Sequence, residues 1–251
     1  MSKNKSLVDH DEDFTSINYL EALNVGNEMQ EYKNILKNLI EMLPSNGKKK
    51  TLHDVGCGTG HFINLATESG FKTSGNDTWD QMIFLAKKSG CNVYLGTFNP
   101  RKHKELNVAT MLCVLAHMDN PWTEIREIIG SLNKDGILYF HTPRMCLIDF
   151  VAIACLCLSG TLIPAVLMRR VSKSHRRIYS RKALLIELEK IGLKILKIEK
   201  KKAYGLKYSE YLTSLGLSKN LALKIDAAIT KTRLDRFFPK NRWSVYCTIS
   251  K

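Results

Sequence analysis

The chain has 251 residues, 44% of them hydrophobic, enough for the core of one large α/β domain or of one domain with an elaboration. Its seven cysteines are odd in number and lack the paired spacing of a zinc site, so they read as reduced thiols of a cytosolic protein rather than a disulfide framework. The net charge of +14 is uneven: residues 1–168 carry 16 Lys/Arg against 18 Asp/Glu, and residues 169–251 carry 22 against 6. That imbalance points either to an anionic partner (membrane surface, phosphorylated substrate or nucleic acid) or to a well-solvated basic face.

Residues 1–13 are polar, end in the acidic run Asp9–Asp13, and read as a disordered tail with no signal peptide; residues 14–251 read as the folded domain. Ser16 to Leu43 has helical spacing through Tyr19, Leu20, Leu23, Ile35, Leu36, Leu39 and Ile40, and Pro44, Asn46 and Gly47 end it. Strand-like segments follow at Thr51–Val55, Lys72–Asn76, Asn92–Leu95, Asn107–Leu112 and Gly136–His141. They alternate with helix-like segments at His61–Ser69, Asp80–Lys88 and Pro121–Leu132. This rhythm predicts a parallel sheet with helices on both faces. A helix at Arg181–Lys190, an alternating strand at Leu193–Lys200, a helix at Ser218–Thr230 and a last strand at Trp243–Ile249 complete the chain, with no internal repeat.

One stretch breaks the rhythm. Phe150 to Met168 is 19 residues without a charge, long enough for a membrane span. A crossing would separate the last third from the first five strands, and Pro164 with Ser159-Gly160-Thr161 suits two short apolar helices better than one straight one. The expectation is an apolar cap over 146–172, inserted after the fifth strand. Arg169, Arg170, Lys173, Arg176, Arg177, Arg181 and Lys182 follow it at once. An apolar wedge beside a basic cluster is the pattern of an enzyme lying on anionic lipid through 150–182. The alternative is an ordinary buried cap or dimer contact.

Between the first strand and the next helix runs Asp54-Val55-Gly56-Cys57-Gly58-Thr59-Gly60. Glycine permits the sharp turn and the close approach of a ligand that such a loop requires, and the helix beginning near His61 points its free N–H groups at it. The third glycine comes one place early for the dinucleotide pattern. Asp54 would repel a pyrophosphate but favours a sulfonium and an ammonium. Asp77, 21 residues after Gly56, ends the second strand, where an acid can accept both hydroxyls of a ribose. Thr78 is a candidate cap for the next helix. Trp79 or Met82 can cover an adenine or simply pack in the core.

On these residues the chain resembles the class I S-adenosylmethionine-dependent methyltransferases, from about Asn34 to Lys251. Within them it is most similar to the branch containing the ubiquinone-biosynthesis O-methyltransferases. The residues DVGCGTG match the family's first motif. Gly75-Asn76-Asp77-Thr78, Thr110 to His117 with Asp119-Asn120-Pro121, Leu132 to Gly136, and His141-Thr142-Pro143 match later segments. The resemblance implies a Rossmann-like, mostly parallel sheet of seven strands, the last antiparallel, with an N-terminal helix. It implies S-adenosylmethionine as cofactor, held by Asp54, Gly56, Cys57, Gly58, Gly60, Asp77, Thr78, Thr97, Met111 and Leu112. Where relatives carry two acids ahead of a histidine, this chain has Cys113, Ala116 and His117, so no metal is expected. Where relatives carry an Asp against the adenine amine, it has Gly96-Thr97-Phe98, leaving Thr97 and the backbone to substitute.

Transfer to oxygen needs a proton acceptor, and His117, just past the fourth strand at the ligand-binding edge of the sheet, is the candidate. His141 and His175 are weaker ones, and His53, inside the first strand, reads as structural. The expected activity is methylation, on oxygen, of a small-molecule or lipid-like acceptor, by a cytoplasmic and membrane-associated protein. Tyr19, Tyr32, Tyr179, Tyr204 and Tyr208 are candidates to line the acceptor pocket. The alternatives are a nucleic-acid (RNA) methyltransferase, disfavoured by the lack of aromatic interleaving in the basic third, and a methyltransferase-like protein that binds without turnover.

Overall fold

The computed structural model describes residues 25–45, 49–145, 177–201, 209, 217–232 and 240–250. The tail, the 146–172 cap, most of the basic cluster, His175, Tyr19, Tyr204 and Tyr208 lie outside them. In chain order the elements are α1 (Val25–Met42), β1 (Thr51–Val55), α2 (His61–Glu68), β2 (Lys72–Asp77), α3 (Asp80–Lys88), β3 (Val93–Leu95) and β4 (Leu106–Leu112). Then come α4 (Pro121–Ser131), β5 (Leu132–Pro143), α5 (Arg181–Lys190), β6 (Leu193–Lys201), α6 (Lys219–Thr232) and β7 (Arg242–Ile249).

The strands form one seven-stranded sheet in the order β3-β2-β1-β4-β5-β7-β6. β1 pairs in parallel with β2 and β4, and β4 with β5, whereas β7 runs antiparallel between β5 and β6. The order reverses at β1, which sends β2 and β4 to opposite sides of it. That places the loops after β1, β2 and β4 at a topological switch point, where open α/β sheets bind ligands. The central strands are buried on both faces, so β4 lacks the strict alternation of a half-exposed strand, and β1 buries even its polar residues His53 and Asp54.

Two apolar layers sandwich the sheet. On one face Ile35, Leu36 and Leu39 of α1, Leu43 just past it, and Phe62, Leu65 and Ala66 of α2 pack on Leu52, Val108, Ile137, Tyr139 and Tyr246. On the other, Ile125 and Ile128 of α4 and Leu184 and Leu188 of α5 pack on Val55, Ala109, Leu138, Phe140, Val245 and Cys247. Ile40, expected on the buried stripe of α1, is 45% exposed because it sits at the margin of that stripe. Pro121 opens α4, where its missing N–H costs nothing. Ser180 caps α5, its Oγ accepting from Ala183 N at 3.2 Å.

Strand boundaries move little from expectation, with one exception. β5 begins at Leu132 rather than Gly136, because Leu132 pairs with Leu106 ahead of an irregularity that restores register at Val108 and Ile137. Among the described residues no helix is long and apolar enough to cross a membrane.

Candidate functional site

The glycine loop leaves β1 through three residues of positive φ, Gly56 (71°), Gly58 (52°) and Gly60 (81°). A side chain at Gly56 would fall 2.3 Å from Val114 Cγ2, and one at Gly60 would fall 2.5 Å from Cys91 Sγ. Those two glycines let the loop close against the turn after β4 and against the start of β3. Gly58 differs: nothing lies within 4 Å of its would-be Cβ, so its face is open. That is the surface on which a ligand can lie against backbone.

Two carboxyls serve this loop in different ways. Asp54, on β1, is buried and accepts a 2.6 Å hydrogen bond from Thr110 Oγ1 on β4. Burial pushes its pKa up to about 7, the Thr110 bond pulls the other way, and the nearby Asp77 charge adds to the rise. Asp54 therefore lies beneath the loop rather than beside it, poised between its neutral and charged forms near neutral pH. Asp77, at the end of β2, takes Gly58 N on Oδ2 and Trp79 N on Oδ1, both at 2.9 Å. Each oxygen keeps a second acceptor site.

Asp77 also does what was expected of Thr78. Thr78 is exposed and does not cap α3; Trp79 occupies the N-cap position without a side-chain cap, and the carboxylate of Asp77 holds its N–H. Met82 is core, and Trp79 is half-buried. Cys57 contributes backbone rather than thiol. Its N–H donates to Asn76 O at 2.9 Å, while its side chain is buried with Ile63, Ile83 and Cys91, and burial drives the thiol far above its ordinary pKa. Met111 is likewise wholly buried, in the α4–α5 layer, so only its backbone reaches the edge; Leu112 is half-buried.

Past β3, the loop from Gly96 is clamped to β2 and β3. Gly96 N donates to Asp77 O and Gly96 O accepts from Asn76 Nδ2, each at 2.8 Å. Asn99 N donates to Tyr94 Oη at 3.1 Å. Phe98 is buried, whereas Thr97 stands exposed at the apex.

After β4 the chain turns sharply, with Cys113 at φ 64°, a left-handed conformation uncommon outside glycine. His117 N donates to Val114 O at 2.9 Å, and the His117 side chain is exposed past the C-terminal end of β4. Arg177 Nη1 donates to Met118 O at 2.7 Å and ties the approach to α5 to this turn.

The other two histidines of the sheet are interior. His53 is fully buried, and burial depresses its pKa to about 4. His141, at the end of β5, is also buried. Burial, and next the charge of Arg242, holds it well below the usual histidine range. Arg242 is itself buried and ion-paired with Glu31 of α1. Tyr32 packs edge-on against Phe62, and Tyr179 edge-on against Trp122. A polar cleft of about 210 Å³ between α1 and the β6–β7 pair is lined by Asn34, Asn38, Glu199, Lys201, Ser244 and Tyr246, among others, and by no residue of the glycine loop.

The structure thus joins Asp54, Gly56, Cys57, Gly58, Gly60 and Asp77 through the ends of β1 and β2, with Thr97 on the adjacent loop. Sequence reasoning missed Thr110 as the partner of Asp54 and Asn76 as the tie between loops. The signal for both was a polar residue at a position that strand burial reserves for apolar ones.

A family model described as a methyltransferase domain matches residues 27–198. No curated protein matches the sequence. Among solved structures, the chain is similar to a SAM-dependent methyltransferase from Archaeoglobus fulgidus, at 18% identity and TM-score 0.57, covering 93% of this chain and 99% of that one. It is similar to magnesium protoporphyrin IX methyltransferase from Synechocystis PCC 6803 with bound SAH, at 13% identity and TM-score 0.58, covering 92% and 86%. It is also similar to the [4+2]-cyclase SpnF, at 18% identity and TM-score 0.54, covering 86% and 81%. At these identities the likeness is one of fold.

Proposed function

We infer that this chain, which belongs to the methyltransferase-domain family, transfers a methyl group from S-adenosylmethionine to an oxygen of a small-molecule or lipid-like acceptor. The observation that carries the reading is the open backbone face of Gly58 between a buried acid, Asp54, and an edge acid, Asp77. When bound, S-adenosylmethionine supplies an electrophilic methyl on a sulfonium.

The chain's own residues fit that group. The spare acceptor sites of Asp77 suit two ribose hydroxyls. Asp54, once ionised, offsets positive charge above the loop without occupying space there. Gly56, Gly58 and Gly60 keep that space clear, Cys57, Met111 and Leu112 supply backbone walls, and Thr78 and Thr97 flank the ribose and base end. His117, exposed past β4, takes the proton from the acceptor hydroxyl as the oxygen–carbon bond forms. An acceptor of the kind used by the ubiquinone-pathway O-methyltransferases is the nearest expectation. An anionic membrane surface is its accompanying partner, supported by the charge of residues 169–251, with Arg177 ahead of α5 and Arg181 and Lys182 in its first turn.

Asp77→Ala tests the donor site. It removes charge-assisted bonds of about 1.5–3 kcal/mol, so affinity for S-adenosylhomocysteine should fall roughly 10- to 150-fold by calorimetry. Unchanged affinity would overturn the assignment. A second reading, a protein of this fold that does not methylate, is favoured by the likeness to a cyclase. Release of S-adenosylhomocysteine with any acceptor would exclude it. For the membrane partner, co-sedimentation with phosphatidylserine vesicles should be lost in Leu156→Asp and Leu162→Asp, and wild type that stays in the supernatant ends that part of the proposal.

A further inference from the structure

The loop after β3 rests on a buried polar platform. His53 lies on β1 and Asn76 on β2, both fully enclosed. Asn76 Nδ2 donates to Gly96 O at 2.8 Å, so its Oδ1 faces His53, and His53 Nε2 must donate to it across 2.9 Å. A depressed pKa leaves the ring neutral, so Nδ1 bears no proton and Ser74 Oγ, 2.7 Å away, donates to it. The relay Ser74 to His53 to Asn76 to Gly96 therefore has one consistent direction, and it fixes which way the Asn76 amide points. The opposite amide orientation would set Oδ1 against Gly96 O.

The same imidazole carries the far side of the loop. Phe98 packs edge-on against His53 at 5.3 Å between ring centroids, and His103 lies 4.0 Å from it. No helix intervenes between β3 and β4. The segment from Gly96 to Glu105 is held instead by this ring cluster, by the Gly96 bonds and by the Asn99–Tyr94 bond. Asn76 also reaches the glycine loop, through its carbonyl, which accepts from Gly56 N at 2.8 Å and Cys57 N at 2.9 Å. One residue thus spans both loops, through backbone to one and through side chain to the other.

We propose that Asn76, oriented by His53, is a positioning residue that presets the Gly96–Phe98 loop for recognition of the donor's nucleobase, in place of an acidic side chain on that loop. Fixing the loop in advance leaves the exposed Thr97 and its neighbouring backbone to read the base without an ordering cost at binding. The proposal rests on the reading that Asp77 and this loop hold the nucleoside end of the donor.

The test compares two ligands, S-adenosylhomocysteine and S-inosylhomocysteine, by calorimetry on the full chain. They differ only at the amine-bearing edge of the base. Wild type should prefer the adenosyl compound. In Asn76→Leu, which keeps the side chain's shape, that preference should shrink about 3- to 10-fold towards unity, the span of one hydrogen bond's net worth. Ser74→Ala, a change at a half-buried position that leaves Asn76 in place, should shrink it in the same direction by a smaller factor. General loosening of the fold lowers both affinities together and leaves their ratio alone. A wild type without preference, or an unchanged ratio in both variants, overturns the proposal. Asp77→Ala separates it from the reading beneath it: that variant should weaken both ligands equally, and if it weakens neither, the fault lies with the donor site itself.

Discussion

The β1–β3 side of the sheet and the β5–β7 side both hold buried polar groups, but they use them differently. On the β1–β3 side, besides the interior pairs Asp54–Thr110 and His53–Asn76, acceptors at the strand ends are spent on backbone N–H groups: the Asp77 carboxylate holds Gly58 and Trp79, and the Asn76 backbone carbonyl holds Gly56 and Cys57. The polar groups there stiffen loops at an open edge. On the β5–β7 side, polar groups meet one another across elements. Arg242 pairs with Glu31, Tyr139 Oη lies 3.1 Å from Ser244 Oγ, and Asn38 Nδ2 donates to Tyr246 Oη at 3.2 Å. That seam fastens α1 to the sheet. A polar group braced by backbone can still present a free lone pair to a ligand, whereas one consumed by another side chain in the interior is committed to the fold.

Substitutions can break that contrast or sharpen it. The largest effect is expected at the boundary between the two sides, at His117. His117→Ala should lower kcat by about 10²–10⁴-fold, the usual worth of a positioned general base, with S-adenosylhomocysteine affinity unchanged. Full turnover in that variant would remove His117 from the chemistry. Next, Glu31→Ala removes a carboxylate that pairs with the buried Arg242, which should cost roughly 3 kcal/mol of stability in denaturant unfolding. Donor affinity should be untouched. A variant of normal stability and poor binding would erase the distinction between the two sides.

The smallest effect is expected from pH, and it belongs to Asp54. With its pKa near 7, Asp54 is largely neutral at pH 6 and largely charged at pH 8. The charged form favours a sulfonium and does nothing for the neutral thioether of the product. Affinity for S-adenosylmethionine relative to S-adenosylhomocysteine should therefore rise about 3- to 10-fold from pH 6 to pH 8, as a ratio of two calorimetric constants. The same raised pKa stabilises the ligand-free protein in acid. That contribution is present in full below the ordinary carboxyl range and is lost as pH rises through 7. Asp54→Asn should flatten both profiles.

Much of this was legible in the sequence because strand and helix periods and glycine spacing are local. The order of elements, the seven strands, the position of the glycine loop and the acid ending β2 all follow from runs of a few residues, and the family match supplied the antiparallel last strand. What was not legible depended on register between strands far apart in the chain. Only the packing of β4 against β1, which seals Asp54 beside Thr110, 56 residues on, turns a loop-side carboxylate into a buried acid whose pKa burial raises against the pull of the Thr110 bond. Only the pairing of β1 with β2 makes His53 and Asn76 a relay rather than two unrelated polar residues.

By itself, then, the sequence determined a doubly wound sheet with a glycine-rich turn at its switch point, since short-range patterning dictates which segments become strands and where the backbone must turn. Tertiary structure alone decided which polar residues face the open edge and which are sealed inside. Whether a carboxyl or an imidazole keeps its charge depends on the dielectric and the partners that folding assembles around it, and no spacing along the chain carries that information.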